Sequence, residues 1–188
     1  MGLFFLIVIL LFAVPIIWLI AGYNRLVRLR NEVDRIWAKV KVVLTKRADL
    51  IPNLVETVKG YAAHEKTIFD RVSESRSKFL SAPASADAVR QGIEFEKSIR
   101  SLFAVAENYP NLKANENFQA LSSQLATIET ELAGARDGFN AGVLDYNNQL
   151  QTFPGNLIAS LFGFEKREFF ELEEPAKAGV PKVEFKVS

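Results

Sequence analysis

The sequence predicts an all-α protein, in which an N-terminal transmembrane helix is followed by an antiparallel, four-helix-like bundle of long helices and an extended C-terminal tail. Three observations support this fold class. Residues 3–21 carry no charge and consist almost entirely of Leu, Ile, Val, Phe and Ala. Apolar residues then recur at alternating steps of three and four in long stretches, which is typical of packed helices. Pro and small residues separate these stretches. We predict an anchor at 1–22, a helical bundle at 23–153, and a short apolar helix with an extended tail at 154–188.

The anchor is predicted from the length of the first apolar run. At about 1.5 Å per residue, a run of roughly 20 residues spans a hydrocarbon core about 30 Å thick. The alternative is a cleaved signal peptide, which has a basic segment before a shorter apolar core. No Lys or Arg precedes Leu3, and a cut after Ala21 would follow the bulky Leu19 by two positions. The preferred interpretation is therefore a single span inserted in the lipid bilayer.

The charges beside this run predict its orientation. Arg25, Arg28, Arg30 and Arg35 follow the run, and no basic residue precedes it. Positive residues near a span tend to stay on the cytoplasmic side of the membrane. We therefore expect the large domain to lie in the cytoplasm.

Composition excludes several classes of function. The 23 basic and 22 acidic residues give a net charge of +1, which creates no field to attract nucleic acid. The chain has no cysteine, and His64 is its only histidine, so thiol chemistry and His pairs within one chain are excluded. The sequence also has no glycine-rich phosphate loop. We predict no catalytic residues, no cofactor and no metal site.

The first stretch after the anchor predicts one long helix with an apolar seam. Pro52 interrupts it, but the seam keeps its phase across this residue. We expect a single helix, kinked at Pro52, that continues to about residue 79; the alternative is a true break at Pro52. The seam follows a heptad pattern and consists of Leu26, Leu29, Val33, Ile36, Val40, Val43, Leu50, Leu54 and Tyr61.

The rest of the chain predicts two further long helices and a different C-terminal part. A loop at 81–87 precedes a helical pattern that ends at Tyr109-Pro110, because the residue before Pro disfavours the helical conformation. The next pattern covers residues 118–150 and ends at Phe153-Pro154. An apolar segment at 157–164 predicts a short helix on the bundle. Segments 168–172 and 183–187 have the pattern of extended chain, and a linker rich in Pro, Gly and Ala at 175–181 separates them.

Arg47 occupies a seam position where an apolar residue is expected. A lone charge at a packed seam is costly, so we expect an ion pair between helices, with Asp49 nearby and Glu107 as candidates. The alternative is that Arg47 reaches solvent from the edge of the bundle.

Asparagines beside aromatic residues are the second unusual polar feature. Buried Asn can bond across helices and fix their register, whereas capping or exposure is its commoner fate. The four places are Tyr23-Asn24, Asn108-Tyr109, Phe139-Asn140 and Tyr146-Asn147.

Several of these motifs carry a family resemblance. The sequence resembles the bacterial LemA family over nearly its whole length, and Phe139 stands where that family often has Tyr. The motifs are YNRLVRLRN at 23–31, KRADLIPNLV at 46–55, VKGYAAHE at 58–65, ENYPNLKAN at 107–115, Arg136, and the pairs at 139–140, 146–147 and 153–154.

The resemblance implies a single-pass protein of the bacterial inner membrane with an up-and-down helical bundle and no established enzymatic activity. It also implies, by association alone, a role in envelope quality control beside an HtpX-like membrane metalloprotease. The candidate structural or interaction residues are Arg47, Asp49, Pro52, Glu107, Tyr109, Pro110, Arg136, Asn140 and Asn147.

The leading functional hypothesis is a membrane-anchored helical scaffold or adaptor that binds other proteins. The alternatives are a homo-oligomeric ring or coat, and an enzyme with a site assembled between subunits from Arg47, Glu107 and Asn residues. Because the seam at 26–43 directly follows the anchor, we expect self-association through this juxtamembrane helix. The alternative is that the returning helix at 118–153 covers the seam.

Overall fold

The structure, a computed structural model, describes residues 1–83 and 86–171. This part of the chain contains helices and no strands, which confirms the all-α prediction. The predicted linker at 175–181 and extended segment at 183–187 lie outside the described residues. In chain order, the helices are α1 (Gly2–Lys59), α2 (Lys66–Ser81), α3 (Ala86–Ala106), α4 (Pro110–Lys113), α5 (Glu116–Gln151) and α6 (Gly155–Phe162).

α1 is one uninterrupted helix of 58 residues. Its N-terminal part is the one stretch among the described residues that is long and apolar enough to cross a membrane. Leu11, Ile17 and Trp18 in this part are exposed, as expected for side chains that would face lipid. From Leu26 onward the same helix buries one face in the bundle. The apolar anchor and the first bundle helix are therefore a single continuous element.

α1 passes Pro52 without a break, as expected, but it ends at Lys59. The prediction of one helix to residue 79 is therefore wrong. A turn at residues 60–65 reverses the chain, so that α2 runs back along α1. A longer straight helix would leave the apolar face of α2 in water, whereas the reversal buries it. The residues buried by the reversal are Phe69, Val72 and Phe79.

α2 and α3 form a hairpin against the distal half of α1, the half far from the anchor. The rings of Phe79 and Phe95 stack between the two helices, with centroids 5.5 Å apart. Ala82, directly after α2, lies beside the middle of the water-facing part of α1, where Lys41 Nζ is 3.4 Å from the Ala82 carbonyl oxygen. α3 therefore runs away from the anchor, parallel to α1.

α5 runs antiparallel to α1 along its whole water-facing length. At the distal end, Asn115 donates a hydrogen bond of 3.1 Å to the Tyr61 hydroxyl. Further down, the Trp37 and Phe139 rings lie 5.4 Å apart. This pairing buries Leu26, Val33 and Val40 of the seam and leaves Leu29, Ile36 and Val43 half-buried. The predicted antiparallel, four-helix-like bundle is confirmed, and the returning helix of the same chain covers the juxtamembrane seam.

The half of the bundle nearest the anchor is built differently, because α2 and α3 do not reach it. There, α6 and the non-helical segment 163–171 fill the place of the missing helices. Gly163 ends α6 with a φ of 69°, a left-handed conformation that glycine adopts without strain. Phe170 at the end of this segment is buried against the Trp37 ring. The predicted short helix on the bundle is confirmed.

Candidate functional site

Arg47 lies inside the bundle, where α1, α3 and α5 meet. Its side chain is 7% exposed and its Nη1 is 2.5 Å from Glu96 Oε2 of α3. The same nitrogen also pairs with Glu129 of α5. Glu129 in turn accepts a hydrogen bond of 2.8 Å from Arg136. The expected interhelical ion pairing of Arg47 therefore exists, but it is a cluster of four charges.

Burial dominates the electrostatics of this cluster. The Glu96 side chain is 1% exposed. Desolvation raises the pKa of Glu96 from 4.5 to about 7, since together with a smaller contribution from the neighbouring Glu129 it outweighs the attraction of Arg47. Glu96 Oε1 and Arg47 Nε are buried and have no hydrogen-bond partner among the described residues. The cluster is therefore costly to bury, and its helices are held together by charges that cannot be separated cheaply.

The structure corrects the predicted partners of Arg47. Glu107 is exposed in the turn after α3, because α3 ends at Ala106 before the chain reaches it. Asp49 is exposed on the other side of α1, where its Oδ1 lies 4.0 Å from Arg76. Two residues apart on one helix, Arg47 and Asp49 face different neighbours.

Arg76 also explains how α1 tolerates Pro52. A proline within a helix has no N–H to donate to the carbonyl four residues earlier. In α1 that carbonyl belongs to Ala48, which is fully buried. Arg76 Nε of α2 donates to the Ala48 oxygen at 2.7 Å. The hydrogen bond that Pro52 removes is thus replaced from the neighbouring helix, and this ties α2 to α1.

Asn140 and Asn147 bind the backbone of the C-terminal segment. The Asn147 side chain accepts from the Arg167 amide at 2.9 Å and donates to the Arg167 carbonyl at 2.9 Å. Asn140 makes the same two bonds to Phe170, at 2.8 Å and 3.3 Å. These two asparagines therefore neither bond across helices nor cap a helix, because their side chains bind the backbone of this segment.

The spacing of the two asparagines matches that of their targets. Seven residues of helix rise about 10.5 Å, and three residues of extended chain span about 10 Å. Each side-chain amide uses one N–H and its oxygen for these bonds, as the backbone of a neighbouring strand would. Two turns of α5 therefore act as a template that holds residues 167–170 in an extended conformation.

Phe170 links this segment to the charge cluster. Its ring lies 5.9 Å from the Trp37 ring, and the Arg136 guanidinium lies 5.9 Å from its centroid. An added β-carbon at Gly92 would lie 3.2 Å from the Phe170 ring, so the absence of a side chain there lets the ring approach α3. Arg136 therefore contacts both Glu129 and the end of the C-terminal segment.

Tyr109 and Pro110 lie apart from the other candidates, at the distal end of the bundle. Tyr109 precedes the short helix α4, and Pro110 is its first residue, a position where a missing N–H costs nothing. The predicted end of the second long helix is confirmed here, since the chain leaves α3 at Ala106. These residues position the turn between α3 and α5, far from Arg47.

Comparison with protein-family models matches residues 36–185 to the LemA family. The chain belongs to the LemA family. Magnetosome protein MamQ 2 of Paramagnetospirillum magneticum is 25% identical over 184 residues, covering 84% of this chain and 67% of the relative. Magnetosome protein MamQ of Magnetospirillum gryphiswaldense is 24% identical over 184 residues. Protein LemA of Metamycoplasma hominis is 20% identical over 173 residues, covering 87% of this chain and 75% of the relative. With the apolar part of α1, these matches indicate a membrane-associated helical protein.

Three members of the site in this LemA-family chain were not predicted from the sequence. Glu96 and Glu129 are the partners of Arg47, and Arg76 is the partner of Ala48. The sequence does indicate that Glu96 is buried, because it lies seven residues after Val89 and seven before Phe103, on the apolar face of its helix. Nothing in the sequence indicates the role of Arg76, since the sequence does not show which carbonyl lies opposite it.

Proposed function

We propose that this protein is a membrane-anchored helical scaffold that binds other proteins and is not an enzyme. The observation that carries the proposal is the continuity of α1 from the apolar anchor to the distal end of the bundle. From Gly22 to Lys59, α1 rises about 55 Å. The bundle is thus held upright at a fixed height, as suits a protein that presents a surface to a partner.

The polar groove between α2 and α3 is the candidate binding surface. It forms a cavity of about 500 Å³ on the outer side of the hairpin. Acidic and basic groups alternate along it, which suits a polar segment of a partner protein better than an apolar ligand. Its lining includes Arg71, Glu74, Lys78, Gln91, Glu94 and Lys97.

The positions of the charged candidates favour binding over catalysis. Arg47 is buried and already paired with Glu96 and Glu129. Asn140 and Asn147 are occupied by the backbone of the C-terminal segment. An intersubunit active site that used these side chains would first have to separate them from their present partners.

Site-specific photocrosslinking in the native membrane tests the scaffold proposal. A photoreactive residue in place of Arg71 or Lys78 should give one discrete adduct with another protein. Gln124, exposed on α5 away from the groove, is the matched control and should give none. Adducts of the same size from all three positions, or none from the groove, would contradict this surface. An adduct with a second copy would support the homo-oligomeric alternative.

We further propose that the bundle lies on the cytoplasmic side of the inner membrane. Arg25, Arg28 and Arg30 follow the anchor directly and are exposed, which supports this orientation. Protease added outside spheroplasts should leave the bundle intact and should digest it after lysis. Digestion of the bundle in unbroken spheroplasts would show the opposite orientation.

A membrane metalloprotease and a second copy of the chain are the proposed partners to examine first. The sequence predicts self-association through an uncovered seam at 26–43, but none of the apolar positions of that seam is fully exposed, because α5 packs along it. Self-association would therefore need another surface. Identification of the groove adduct by mass spectrometry distinguishes the two partners, and a third protein as the sole adduct would exclude both at this surface.

A further inference from the structure

The outer face of α6 is apolar and lies beside the end of the apolar anchor. Leu157 is 57% exposed and Leu161 is 67% exposed, although Ile158 and Ala159 on the opposite face are buried. Leu157 and Leu161 are four residues apart and so lie next to each other on the helix surface. Phe153, just before α6, is 78% exposed. An apolar cluster of this kind in water is unfavourable and marks an interaction surface.

α6 packs closely against α1 at Gly22 and Tyr23, where the apolar anchor ends. A β-carbon at Gly22 would collide with Ile158 Cδ1, so glycine at this position allows the contact. The Tyr23 ring lies 4.8 Å from the Phe162 ring and 5.6 Å from the Phe164 ring. α6 therefore cannot be moved along α1 without loss of these contacts.

The depth of this contact follows from the length of the anchor. About 20 residues of helix cross the hydrocarbon core, so a span that begins near Leu3 reaches the far boundary near Gly22. Amphipathic helices at this depth bury their apolar side chains among the upper acyl chains. Tyr23 is of the residue type that favours the headgroup region. Arg25 and Arg28 are exposed just beyond it, where they are placed to meet lipid phosphates.

We propose that α6 is a second membrane contact, whose Leu157 and Leu161 insert into the headgroup and acyl boundary of the bilayer that α1 crosses. The occupant of the apolar face is the lipid surface, because the face continues the surface of the span. The proposal goes beyond the scaffold function and requires only that α1 crosses the bilayer. Two contacts at different positions fix the rotation and tilt of the bundle, which a single span alone would leave free.

Spin-label accessibility in vesicles tests this contact on the full chain. The protein has no cysteine, so single cysteines at 157 and 161 report these positions alone. In vesicles of phosphatidylcholine and phosphatidylglycerol, labels there should collide more often with oxygen, which concentrates in lipid, than with a water-soluble nickel chelate. Labels at Asn156 and Ser160, on the other exposed side of α6, should show the inverse ratio.

Two further positions calibrate the result. Ile17 is exposed in the span and should report lipid. Leu144 is an exposed leucine of α5 above the membrane level and should report water. If 157 and 161 resemble Leu144 while Ile17 reports lipid, the α6 contact is wrong and the span stands. Shielding of 157 and 161 from both reagents, with spin-spin broadening between labelled copies, would assign the face to a second copy and also overturn the proposal. Water accessibility at Ile17 would overturn the span and the contact together.

Discussion

Arg47 and Glu96 show how a charged pair is accommodated in a packed core. Removal of Arg47 would leave Glu96 as an unpaired ion in a nearly dry environment, which costs several kcal/mol. Burial nevertheless raises the pKa of Glu96 to about 7, so near neutral pH this carboxyl binds a proton more readily than it would in water. The cluster therefore links the protonation of one side chain to the packing of α1, α3 and α5.

This linkage predicts an unusual pH dependence of stability. The pKa of Glu96 is raised from 4.5 to about 7 on folding, so the folded state holds its proton in a range where the unfolded state has lost it. The free energy of unfolding should fall as the pH rises through this window, by on the order of 3 kcal/mol. Glu96→Gln should remove most of this slope in chemical denaturation of the full chain in detergent.

The control is Glu94→Gln, which changes an exposed carboxyl on the same helix and should leave the slope intact. Carboxyls whose pKa is lowered by an ion pair have the opposite effect on the free energy of unfolding, which they reduce as the pH falls, and they do so at pH values below this window. A hydrogen bond from Arg35 lowers the pKa of Glu32, and one from Arg90 lowers the pKa of Glu168. Equal slopes in the wild type and in Glu96→Gln would show that Glu96 is ionised throughout.

Pro52 and Arg76 form a pair whose energies should be coupled. Arg76→Ala leaves the buried Ala48 carbonyl without a donor, which should reduce the free energy of unfolding by about 1–3 kcal/mol. In a Pro52→Ala background, residue 52 regains its N–H and can bond to Ala48 directly. The loss from Arg76→Ala should then shrink to within about 0.5 kcal/mol, the range of an ordinary surface change.

A double-mutant cycle measured by urea denaturation checks this coupling. Arg71→Ala, at an exposed position of the same helix, is the matched control and should cost little in either background. An unchanged effect of Arg76→Ala after Pro52→Ala would mean that Arg76 stabilises the bundle in another way, for example through Asp49.

At the scale of elements, α5 acts as the template on which the rest of the bundle is built. One face covers the seam of α1, and its asparagines hold the C-terminal segment. Near the membrane that segment takes the place of a packed helix, since it brings Phe170 into the core between Trp37 and Gly92. The order of the segment therefore depends on a few side chains of α5 and not on a regular element of its own.

Asn147→Ala should release the C-terminal segment without unfolding the bundle. The substitution removes the side-chain amide that bonds to the Arg167 N–H and carbonyl, and each lost hydrogen bond costs about 0.5–1.5 kcal/mol. Amides of residues 164–171 should exchange with deuterium faster, and trypsin should cleave sooner after Lys166 and Arg167. Asn148→Ala, at the exposed neighbouring position, is the control, and equal protection in both variants would contradict the template role.

The predicted seam of α1 consists of two lines of residues, each with a spacing of seven, and the burial of the first line was predicted better than that of the second. The heptad line of positions 26, 33, 40, 47 and 54 is buried. The prediction is wrong for Tyr61, the next position on this line, which is exposed because α1 ends at Lys59. The second predicted line, at 29, 36, 43 and 50, is only half-buried, whereas positions 37, 44, 51 and 58 are buried. The reason is that α1 contacts α5 on one side and α2, α3 and the C-terminal segment on the other. A helix with neighbours on two sides needs a wider apolar stripe than a two-stranded seam.

The sequence could not supply the register between helices. Periodicity places Arg47 on the buried face of α1, but its partners depend on where the turns at 60–65 and 106–115 set α3 and α5. These turns bring Glu96 level with Arg47 and leave Glu107 beyond the end of α3. The same limit applies to Arg76, because a hydrogen bond to one carbonyl depends on the axial offset of two helices.

At the scale of the whole molecule, α1 determines how far the bundle reaches from the membrane. A free helix of this length would bend, and an interior proline is a common cause of kinks. In this protein α5 supports α1 along its water-facing length, and Arg76 restores the hydrogen bond lost at Pro52. The bundle and the anchor should therefore move as one rigid body.

Distance measurements between spin labels in vesicles test this rigidity. Labels at Asn24 and Glu56, both exposed, are separated by about 48 Å along a continuous helix. We expect a narrow distribution near this value. Asn24 and Lys39 form the control pair on the membrane-proximal half, with about 22 Å between them. A broad distribution for the long pair, beside a narrow one for the short pair, would place a hinge in the distal half of α1. Arg76→Ala should broaden the long distance alone, because it removes the bond that replaces the hydrogen bond lost at Pro52.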